Sequence, residues 1–336
     1  MPAMGRDRND PASQWPFHLT TLCNIACMPP PESDQPRVTS ITVAFNPTPE
    51  RLSEQVRALR GEVDEIVVVD NCSRLPVAQL PQLAGAPIRL ITLPENVGVA
   101  RGYNVGLVAA RERDAEFVLL LDDDSVPTPG MVAELVAAYR ERTARGGPQV
   151  AAVGPRVQDA RDPHDYPFIR LGWTHNQHVR CGTTPDEVIA CDFLISSGSL
   201  VPMSAFTVVG EFDEGLFIDS VDLEWCCRAR ARGLALYGVC AARLDHRLGD
   251  RRHTVLNAFE LVVHSPERIY YMTRNRFLLY RRPYMPLKWK LKDMLRWLAK
   301  FAATVLLIPP RIEYARMTWR AIRDAFGGRS GKLETR

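Results

Sequence analysis

Hydrophobic residues in the first half of the chain fall into short runs separated by longer amphipathic stretches. The runs predict strands at 38–45, 65–69, 87–93, 115–121 and 150–157. The stretches between them predict helices at 50–60, 98–113 and 128–145. This alternation is typical of an α/β fold with a mostly parallel, Rossmann-like sheet covered by helices on both faces.

The pattern changes in the second half. Residues 158–190 show no period, further strands are predicted at 192–201 and 234–241, and helices are predicted from Ser220, at 266–282 and at 287–308. The first 36 residues hold seven prolines without periodicity, which predicts a flexible tail. We therefore expect a tail at 1–36, a catalytic domain at 37–250 and a helical C-terminal region at 251–336.

A polar side chain follows each of the first four predicted strands: Asn46, Asp70, Asn96 and Asp122. Each one alone is an ordinary turn residue, but the carboxyl edge of a parallel sheet is where such folds hold ligands. Together they favour a nucleotide site, in which Asp70 accepts from a pyrimidine N–H or a ribose hydroxyl. Gly98 allows close approach of the ligand to the backbone, and Arg101 is a candidate partner for a diphosphate.

Three aspartates end the apolar run at 117–121. Asp122 and Asp124 point to the same side of an extended backbone, so both can reach one hard cation that holds a diphosphate. A solvated acidic turn explains them equally well. A calcium loop of the EF-hand type fits worse, because Pro127 stands where glycine is needed and Ala133 where glutamate is needed.

Charge is divided unevenly along a chain whose 46% apolar and 24% charged content is that of a soluble globular protein. Residues 1–246 carry 22 Lys and Arg against 32 Asp and Glu, a balance of -10, and residues 247–336 carry 20 against 7, a balance of +13. The basic end favours an anionic partner, a membrane surface or nucleic acid. The eight cysteines form no pair of CxxC motifs, so we expect mostly buried free thiols of a reducing cytoplasm.

The predicted helix at 287–308 is amphipathic. One face carries Leu287, Leu291, Leu295, Leu298, Ala302 and Val305, with four basic residues beside it and Trp289 and Trp297 in the same run. This pattern fits a helix lying in a bilayer surface, and the charge excess favours that interpretation. Packing of the apolar face on the protein's own domain explains the pattern about as well. No run of about 18 uncharged apolar residues predicts a transmembrane helix.

Four motifs, in order and spacing, resemble the inverting family 2 glycosyltransferases of the GT-A fold: Val43–Asn46, Val68–Ser73, Glu95–Gly106 and Leu121–Ser125. The resemblance implies that the first half binds a nucleoside diphosphate sugar and that Asp122 and Asp124 hold Mg²⁺ or Mn²⁺ on its diphosphate. Asn104 and Asp123, inside these motifs, are further candidate donor contacts. His246, after the last strand, is implied to complete the metal shell.

The run Phe217–Arg228 resembles the acceptor motif of the same family, E-D-x-D-x-x-x-R, and implies that Asp222 is the catalytic base. The other candidate acceptor contacts are Asp219, Glu224, Trp225 and Arg228. Val221 and Glu224 depart from the common motif, and the variant resembles the rhamnosyltransferase branch. Acids in the first turn of a helix also stabilise its dipole, so Asp222 and Glu224 have a structural explanation as well.

The chain is therefore expected to move L-rhamnose from dTDP-L-rhamnose to a hydroxyl of a lipid-linked cell-envelope glycan or polysaccharide. It is expected in the cytoplasm, peripheral on the inner face of the cytoplasmic membrane, without a nucleic-acid partner; its oligomeric state stays open. A galactofuranosyltransferase using UDP-galactofuranose shares nearly every motif. A nucleotidyltransferase would need a Gly-rich basic loop after the first strand, and a non-catalytic sugar or nucleic-acid binding protein would leave the acids at 122, 124 and 222 unexplained.

Overall fold

One mixed sheet forms the centre of the fold, and nine of the described strands belong to it. The structure is a computed structural model that describes residues 36–159, 165–184, 187–246, 252–255, 259–262 and 264–334. The predicted tail at 1–36 lies outside these residues except for Pro36, and so does the predicted domain boundary at 250. The division at 250 therefore stays a prediction.

The described strands are β1 Val38–Ala44, β2 Glu65–Asp70, β3 Arg89–Thr92, β4 Phe117–Asp122, β5 Ser125–Pro127, β6 Val150–Gln158, β7 Phe168–Arg170, β8 Gln177–Val179, β9 Val188–Cys191, β10 Leu200–Pro202, β11 Ala235–His246, β12 Arg252–Val255 and β13 Phe259–Val262. The described α-helices are α1 Pro49–Leu59, α2 Val99–Glu112, α3 Met131–Ala144, α4 Met203–Val209, α5 Val221–Ala231, α6 Pro266–Tyr280, α7 Leu287–Leu307 and α8 Arg311–Phe326.

Strand order in the sheet is β3-β2-β1-β4-β10-β6-β11-β5, with β9 also paired to β11. The first four strands of this order run parallel, β10 is antiparallel to both neighbours, and β6 and β11 are parallel again. The strands β7 and β8 form a separate hairpin, as do β12 and β13. The mostly parallel sheet with helices on both faces agrees with the predicted α/β class.

The central strands lack alternation because both of their faces are buried. In β4, Val118 and Leu120 pack into the cluster that contains α2 and α5, whereas Leu119 and Leu121 pack into the cluster that contains α1 and α3. The helix α2 lies very close to β1, since a Cβ on Gly106 would come within 2.2 Å of the Ile41 side chain. Glycine is therefore required at that crossing.

The predicted strand at 192–201 is wrong. The chain forms β9 before it and the short β10 at its end, and the stretch between them turns at Gly198, whose φ is +85°. The sequence also did not predict β7, β8, α4 or α8. Strands of three residues are too short to show a period, so pairing with distant neighbours decides them.

One side of α7 packs against α6. On that side, Trp289 lies 5.7 Å from Tyr280 and Trp297 lies 5.1 Å from Phe277, measured between ring centroids. The two tryptophans predicted to lie at a membrane interface thus pack against α6 instead. Four leucines of the predicted apolar face, Leu287, Leu291, Leu295 and Leu298, are 49–68% exposed. No helix in the described ranges has the length and apolar character needed to cross a bilayer.

Among the cysteines in the described part of the chain, one pair does not fit the expectation of free thiols. Cys181 and Cys240 form a disulfide that joins the segment after β8 to the middle of β11, with 5.7 Å between the Cα atoms. Cys191, Cys226 and Cys227 are free and buried, as predicted. Spacing along the chain could not reveal the pair, because 59 residues separate its members.

Candidate active site

The carboxyl ends of β1, β2 and β4 meet at one edge of the sheet. In the parallel register, Ala44 is opposite Asp70 and Val43 is opposite Asp122, so the two aspartates flank the end of β1. The last residue of β11, His246, reaches the same edge because it pairs with Ser125 in antiparallel register. Residues more than 100 positions apart in the chain thereby lie together at this edge of the sheet.

Asp122, Asp124 and His246 form the candidate metal centre, with one ligand atom from each lying within 4.8 Å of the others. His246 Nδ1 lies 3.0 Å from Asp124 Oδ1, and His246 Nε2 lies 3.9 Å from Asp122 Oδ2. The Asp124 Oδ1 atom is buried and accepts no hydrogen bond of good geometry. A buried carboxylate oxygen in that condition, beside a second carboxylate and an imidazole, is a donor set that suits Mg²⁺ or Mn²⁺.

Buried neutral side chains hold this centre in place. Ser197 Oγ accepts a hydrogen bond from the Asp122 amide at 3.1 Å and lies 2.5 Å from Ser125 Oγ. Gln55 Nε2 donates to the carbonyls of Asp122 and Ser125, and the Tyr103 hydroxyl donates to Asp122 Oδ1 at 3.0 Å. The sequence did not assign Gln55, Tyr103 or Ser197 to the metal centre, because uncharged residues on other elements carry no local signal of a metal site.

The metal centre contains more acids than cations, and the pKa values of Asp122, Asp123 and His246 are raised there. Burial raises the pKa of Asp122, and Asp124 adds to the effect although His246 opposes it. Burial raises the pKa of Asp123 to about 7, in spite of the hydrogen bond that its carboxylate accepts from the Phe45 amide. Burial lowers the pKa of His246, but Asp124 and Asp122 outweigh it, so that this pKa is raised overall. A bound cation would stabilise the ionised carboxylates.

Two of the predicted donor contacts shape the loop after β2. Asp70 is buried, and its two carboxylate oxygens accept the amides of Ser73 and Val77, each at 2.9 Å. Asn46 Oδ1 accepts the amide of Arg74 at 2.8 Å. These hydrogen bonds fix the loop beside the metal centre. Direct contacts from Asp70 and Asn46 to a nucleotide stay predictions.

The loop before α2 is tied to its neighbours on both sides. Asn71 donates to Asn96 Oδ1 at 3.1 Å and accepts the Val97 amide at 2.9 Å. Asn96 Oδ1 also accepts the Gly98 amide at 2.9 Å. Gly98 has a φ of +84°, and a Cβ there would lie 2.4 Å from the Phe217 carbonyl oxygen. Gly98 therefore lets the predicted donor loop touch the segment before α5.

Arg101 and Asn104 occupy different environments on α2. The Arg101 side chain is 58% exposed, and its Nε lies 3.7 Å from a carboxylate oxygen of Glu214. Asn104 is buried and donates to the Phe212 carbonyl and the Glu214 carboxylate, while its own oxygen accepts the Phe212 amide. Arg101 is thus accessible to a ligand, whereas every polar atom of the Asn104 side chain is engaged inside the protein. The predicted donor contact of Asn104 stays a prediction.

Asp222 lies in the first turn of α5, partly buried, and its Oδ1 accepts the Leu223 amide at 2.7 Å. Burial raises its pKa from 3.8 to about 6, and repulsion from Asp122 and Asp219 adds to the shift. The segment that leads to Asp222 contacts the start of α2, because the Phe217 carbonyl accepts the amide of Val99 at 2.7 Å. A carboxylate with a pKa near 6 is ionised at neutral pH and is still basic enough to accept a proton from a hydroxyl during a reaction.

The other predicted acceptor contacts on α5 are engaged inside the protein. Glu224 is 1% exposed, and its oxygens accept from Arg228 at 2.9 Å each and from the Tyr284 hydroxyl. Arg228 and Trp225 also donate to backbone carbonyls at 209–211. These contacts hold α5 against α4, and an acceptor role for the three residues stays a prediction.

Asp219, the remaining predicted acceptor contact, precedes α5. Its Oδ1 lies 3.1 Å from a guanidinium nitrogen of Arg268, on α6. The carboxylate is thereby paired with a cation from the C-terminal region.

Comparisons with known proteins place part of this chain in a known family. Residues 40–195 match the family described as Glycosyl transferase family 2. The dTDP-rhamnosyl transferase RfbF of Shigella flexneri is 29% identical over 296 residues, which span 87% of this chain and 96% of the relative. Galactofuranosyltransferase GlfT1 of Mycobacterium tuberculosis is 28% identical over 202 residues, which span 57% of this chain and 64% of the relative.

Among solved structures, GalNAc-T7 with UDP, GalNAc and Mn²⁺ superimposes with a TM-score of 0.53 at 16% identity. The match covers 78% of this chain and 55% of that one, so this chain spans about half its length. At this identity the likeness concerns the fold, and it confirms the predicted GT-A architecture.

Proposed function

We propose that the chain, whose residues 40–195 match Glycosyl transferase family 2, is a glycosyltransferase that transfers L-rhamnose from dTDP-L-rhamnose with inversion at the anomeric carbon. The acceptor in this proposal is a hydroxyl of a lipid-linked glycan of the cell envelope. The observation that carries the proposal is the cluster of Asp122, Asp124 and His246 beside the raised-pKa carboxylate of Asp222.

Similarity over nearly the whole length of a relative supports the donor assignment. The relative named as a dTDP-rhamnosyl transferase aligns over 96% of its length, and the variant acceptor motif at 217–228 points to the same branch. Galactofuranose from UDP-galactofuranose is the second candidate. It is favoured by the 202-residue alignment with a galactofuranosyltransferase, which covers less of both proteins.

The cluster of Asp122, Asp124 and His246 would hold Mg²⁺ or Mn²⁺. When bound, such a cation supplies a charge that neutralises the diphosphate as it leaves. In the first turn of α2, the exposed guanidinium of Arg101 offers charged hydrogen bonds to phosphate oxygens. The Tyr103 hydroxyl donates to the Asp122 carboxylate and the Gln55 amide donates to the Asp122 carbonyl, so that Asp122 is positioned before a ligand binds.

Asp222 acts as the general base in the proposed mechanism. It takes the proton of the acceptor hydroxyl, and the oxygen forms a bond to the anomeric carbon from the face opposite the diphosphate. The bond from that carbon to the diphosphate oxygen breaks, and its electron pair leaves with the diphosphate. One displacement of this kind inverts the anomeric configuration.

A bilayer surface is the proposed location of the acceptor. The exposed leucine row of α7, defined as Leu287, Leu291, Leu295 and Leu298, projects from a helix whose opposite side packs on α6. On α8, Ile312, Trp319 and Phe326 are also largely exposed. Because residues 247–336 carry a balance of +13, an anionic bilayer fits this apolar and basic surface.

Release of nucleotide tests the donor proposal. The purified chain is incubated with Mn²⁺, a set of hydrophobic glycoside acceptors, and either dTDP-L-rhamnose or UDP-galactofuranose. We expect acceptor-dependent release of dTDP and an inverted glycosidic product by NMR. Release of UDP alone would establish the second candidate, and release from neither donor would reject both.

Sedimentation with vesicles tests the membrane proposal. Replacing Leu291 with Asp should weaken binding to phosphatidylglycerol vesicles by about tenfold or more, because a buried leucine stabilises the bound state by roughly 1.5–3 kcal/mol. The matched control is Val108→Asp, which changes an equally exposed apolar residue on α2. Equal loss in both variants, or no binding by the unaltered chain, would contradict the proposal.

A further inference from the structure

The segment that leads into α5 has a strained backbone. Phe217, Asp219 and Ser220 have φ angles of 64°, 65° and 64°, although none of them is glycine. Phe217 has a ψ of -65°, and the Ile218 amide donates to the Leu216 carbonyl at 2.7 Å, which defines a γ-turn of the rare, strained kind. Such conformations persist only where the surroundings impose them.

Asn275, on α6, supplies one part of those surroundings. Its Nδ2 donates to the carbonyls of Leu216, Ile218 and Asp219 at 2.8, 2.7 and 3.0 Å. The side chain is 0% exposed, so water cannot replace it. The two hydrogens of one amide group are therefore shared among three carbonyls, whose directions are set by the γ-turn and the residues after it.

Arg274 supplies the other part. Its Nη2 donates to the carbonyls of Gly215 and Leu216, each at 3.1 Å, and to Asn275 Oδ1 at 2.9 Å. The guanidinium is itself buried and lies 5.2 Å from the ring centroid of Tyr271. The ring of Tyr271 in turn stacks on Phe217 at 4.9 Å. One turn of α6 thus contacts both the backbone and the side chain of the γ-turn.

The strained segment connects the start of α2 to the start of α5. The Phe217 carbonyl accepts the amide of Val99, the first residue of α2, at 2.7 Å. Ser220 is the N-cap of α5, two residues before Asp222. A shift of the segment would therefore move the carboxylate of Asp222 relative to the metal centre and the donor loop.

We propose that Arg274 and Asn275 are positioning residues for the transfer reaction, which hold the segment at 215–220 so that Asp222 is presented to the acceptor. The proposal rests on the proposed role of Asp222 as general base. It predicts that loss of either side chain lowers turnover much more than it lowers affinity for the donor. A misplacement of about 1 Å is enough to cost about 10²-fold in rate.

The test compares Asn275→Ala with Tyr280→Phe in the full chain. Tyr280 lies on the same helix and loses a hydrogen bond to Asp293 in α7, away from the segment. We expect kcat to fall about 10²-fold in Asn275→Ala, with the calorimetric Kd for dTDP-L-rhamnose and Mn²⁺ unchanged, and kcat to be retained in Tyr280→Phe. Hydrogen exchange should accelerate in Asn275→Ala at 215–222 and stay as before in the central strands.

A second variant covers the case in which Asn275→Ala does not fold. Arg274→Lys keeps the charge but loses the planar fork that reaches two carbonyls at once, so it should show the same local exchange and a fall in kcat. Retained kcat in a folded variant, or faster exchange throughout the chain with equal loss of donor affinity, would overturn the proposal. If Asp222→Asn keeps full turnover, the role of Asp222 fails separately, and exchange at 215–222 still decides whether α6 holds the segment.

Discussion

Two groups of carboxylates belong to the candidate site, and they differ in what neutralises them. At the end of β4, Asp122 and Asp124 share one imidazole, and a buried oxygen of Asp124 accepts no hydrogen bond. Around α5, Glu224 is paired with Arg228, and Asp219 is paired with Arg268.

Asp222 is the exception in the second group. Among the described residues no lysine or arginine forms an ion pair with it, and its pKa is raised to about 6. The number of acids in a stretch of sequence therefore does not predict which of them takes part in a reaction. An acid with an arginine partner stabilises the fold, whereas an acid without one is available for a cation or a proton.

Replacing Asp222 with Asn tests whether this carboxylate accepts a proton during the reaction, and it should give the largest loss of turnover. The amide cannot accept the hydroxyl proton, so kcat is expected to fall by about 10²- to 10⁴-fold. Binding of dTDP-L-rhamnose with Mn²⁺ should persist, because the metal centre is unchanged. Steady-state kinetics and calorimetry on the same preparation measure both; full turnover by the variant would remove Asp222 from the mechanism.

Replacing Glu224 with Ala tests whether an acid that is paired with an arginine stabilises the fold. The change leaves Arg228 largely buried without its partner, and breaking such a pair costs about 3–5 kcal/mol in the free energy of unfolding. The matched control is Glu211→Ala, which breaks an exposed pair with Arg111 and should cost about 1 kcal/mol or less. Urea unfolding followed by circular dichroism measures the difference. Equal stability of the two variants would contradict the structural role of Glu224.

The pH dependence of turnover tests whether Asp222 is the carboxylate that accepts the proton. Because Asp222 must be ionised to act as base and its pKa is about 6, kcat should be constant above neutral pH and fall about tenfold per unit below 6. In the folded state this raised pKa favours the protonated form, so its contribution to stability is present below pH 3.8 and is lost as the pH rises through about 6. A profile of kcat between pH 5 and 8 that shows no acid limb would contradict the assignment.

The half of the site formed by strand ends was predictable because parallel topology brings neighbouring strand ends together. Asp122 and Asp124 follow directly from that geometry, whereas His246 came from the resemblance and from its position after the predicted strand at 234–241. The supporting side chains of Gln55 and Tyr103 were not predictable, because their partners lie on other elements and a neutral residue gives no local signal.

The half of the site around α5 was harder to predict. The partner of Glu224 at Tyr284 lies 60 residues further along the chain, and no local pattern distinguishes a paired acid from an unpaired one. The same applies to Asn104, which lies in a motif of the donor half but bonds to residues 212–214. Long-range packing decided both cases, and sequence periodicity does not carry that information.

We propose that Asp122 and Asp124, at the end of β4, bind a cation that holds the donor. Calorimetric titration of dTDP-L-rhamnose into the unaltered chain, first with Mn²⁺ and then with EDTA, tests whether donor binding depends on that cation. We expect binding with Mn²⁺, loss of that binding in EDTA, and little binding by Asp124→Asn under either condition. Equal affinity with Mn²⁺ and with EDTA would contradict it.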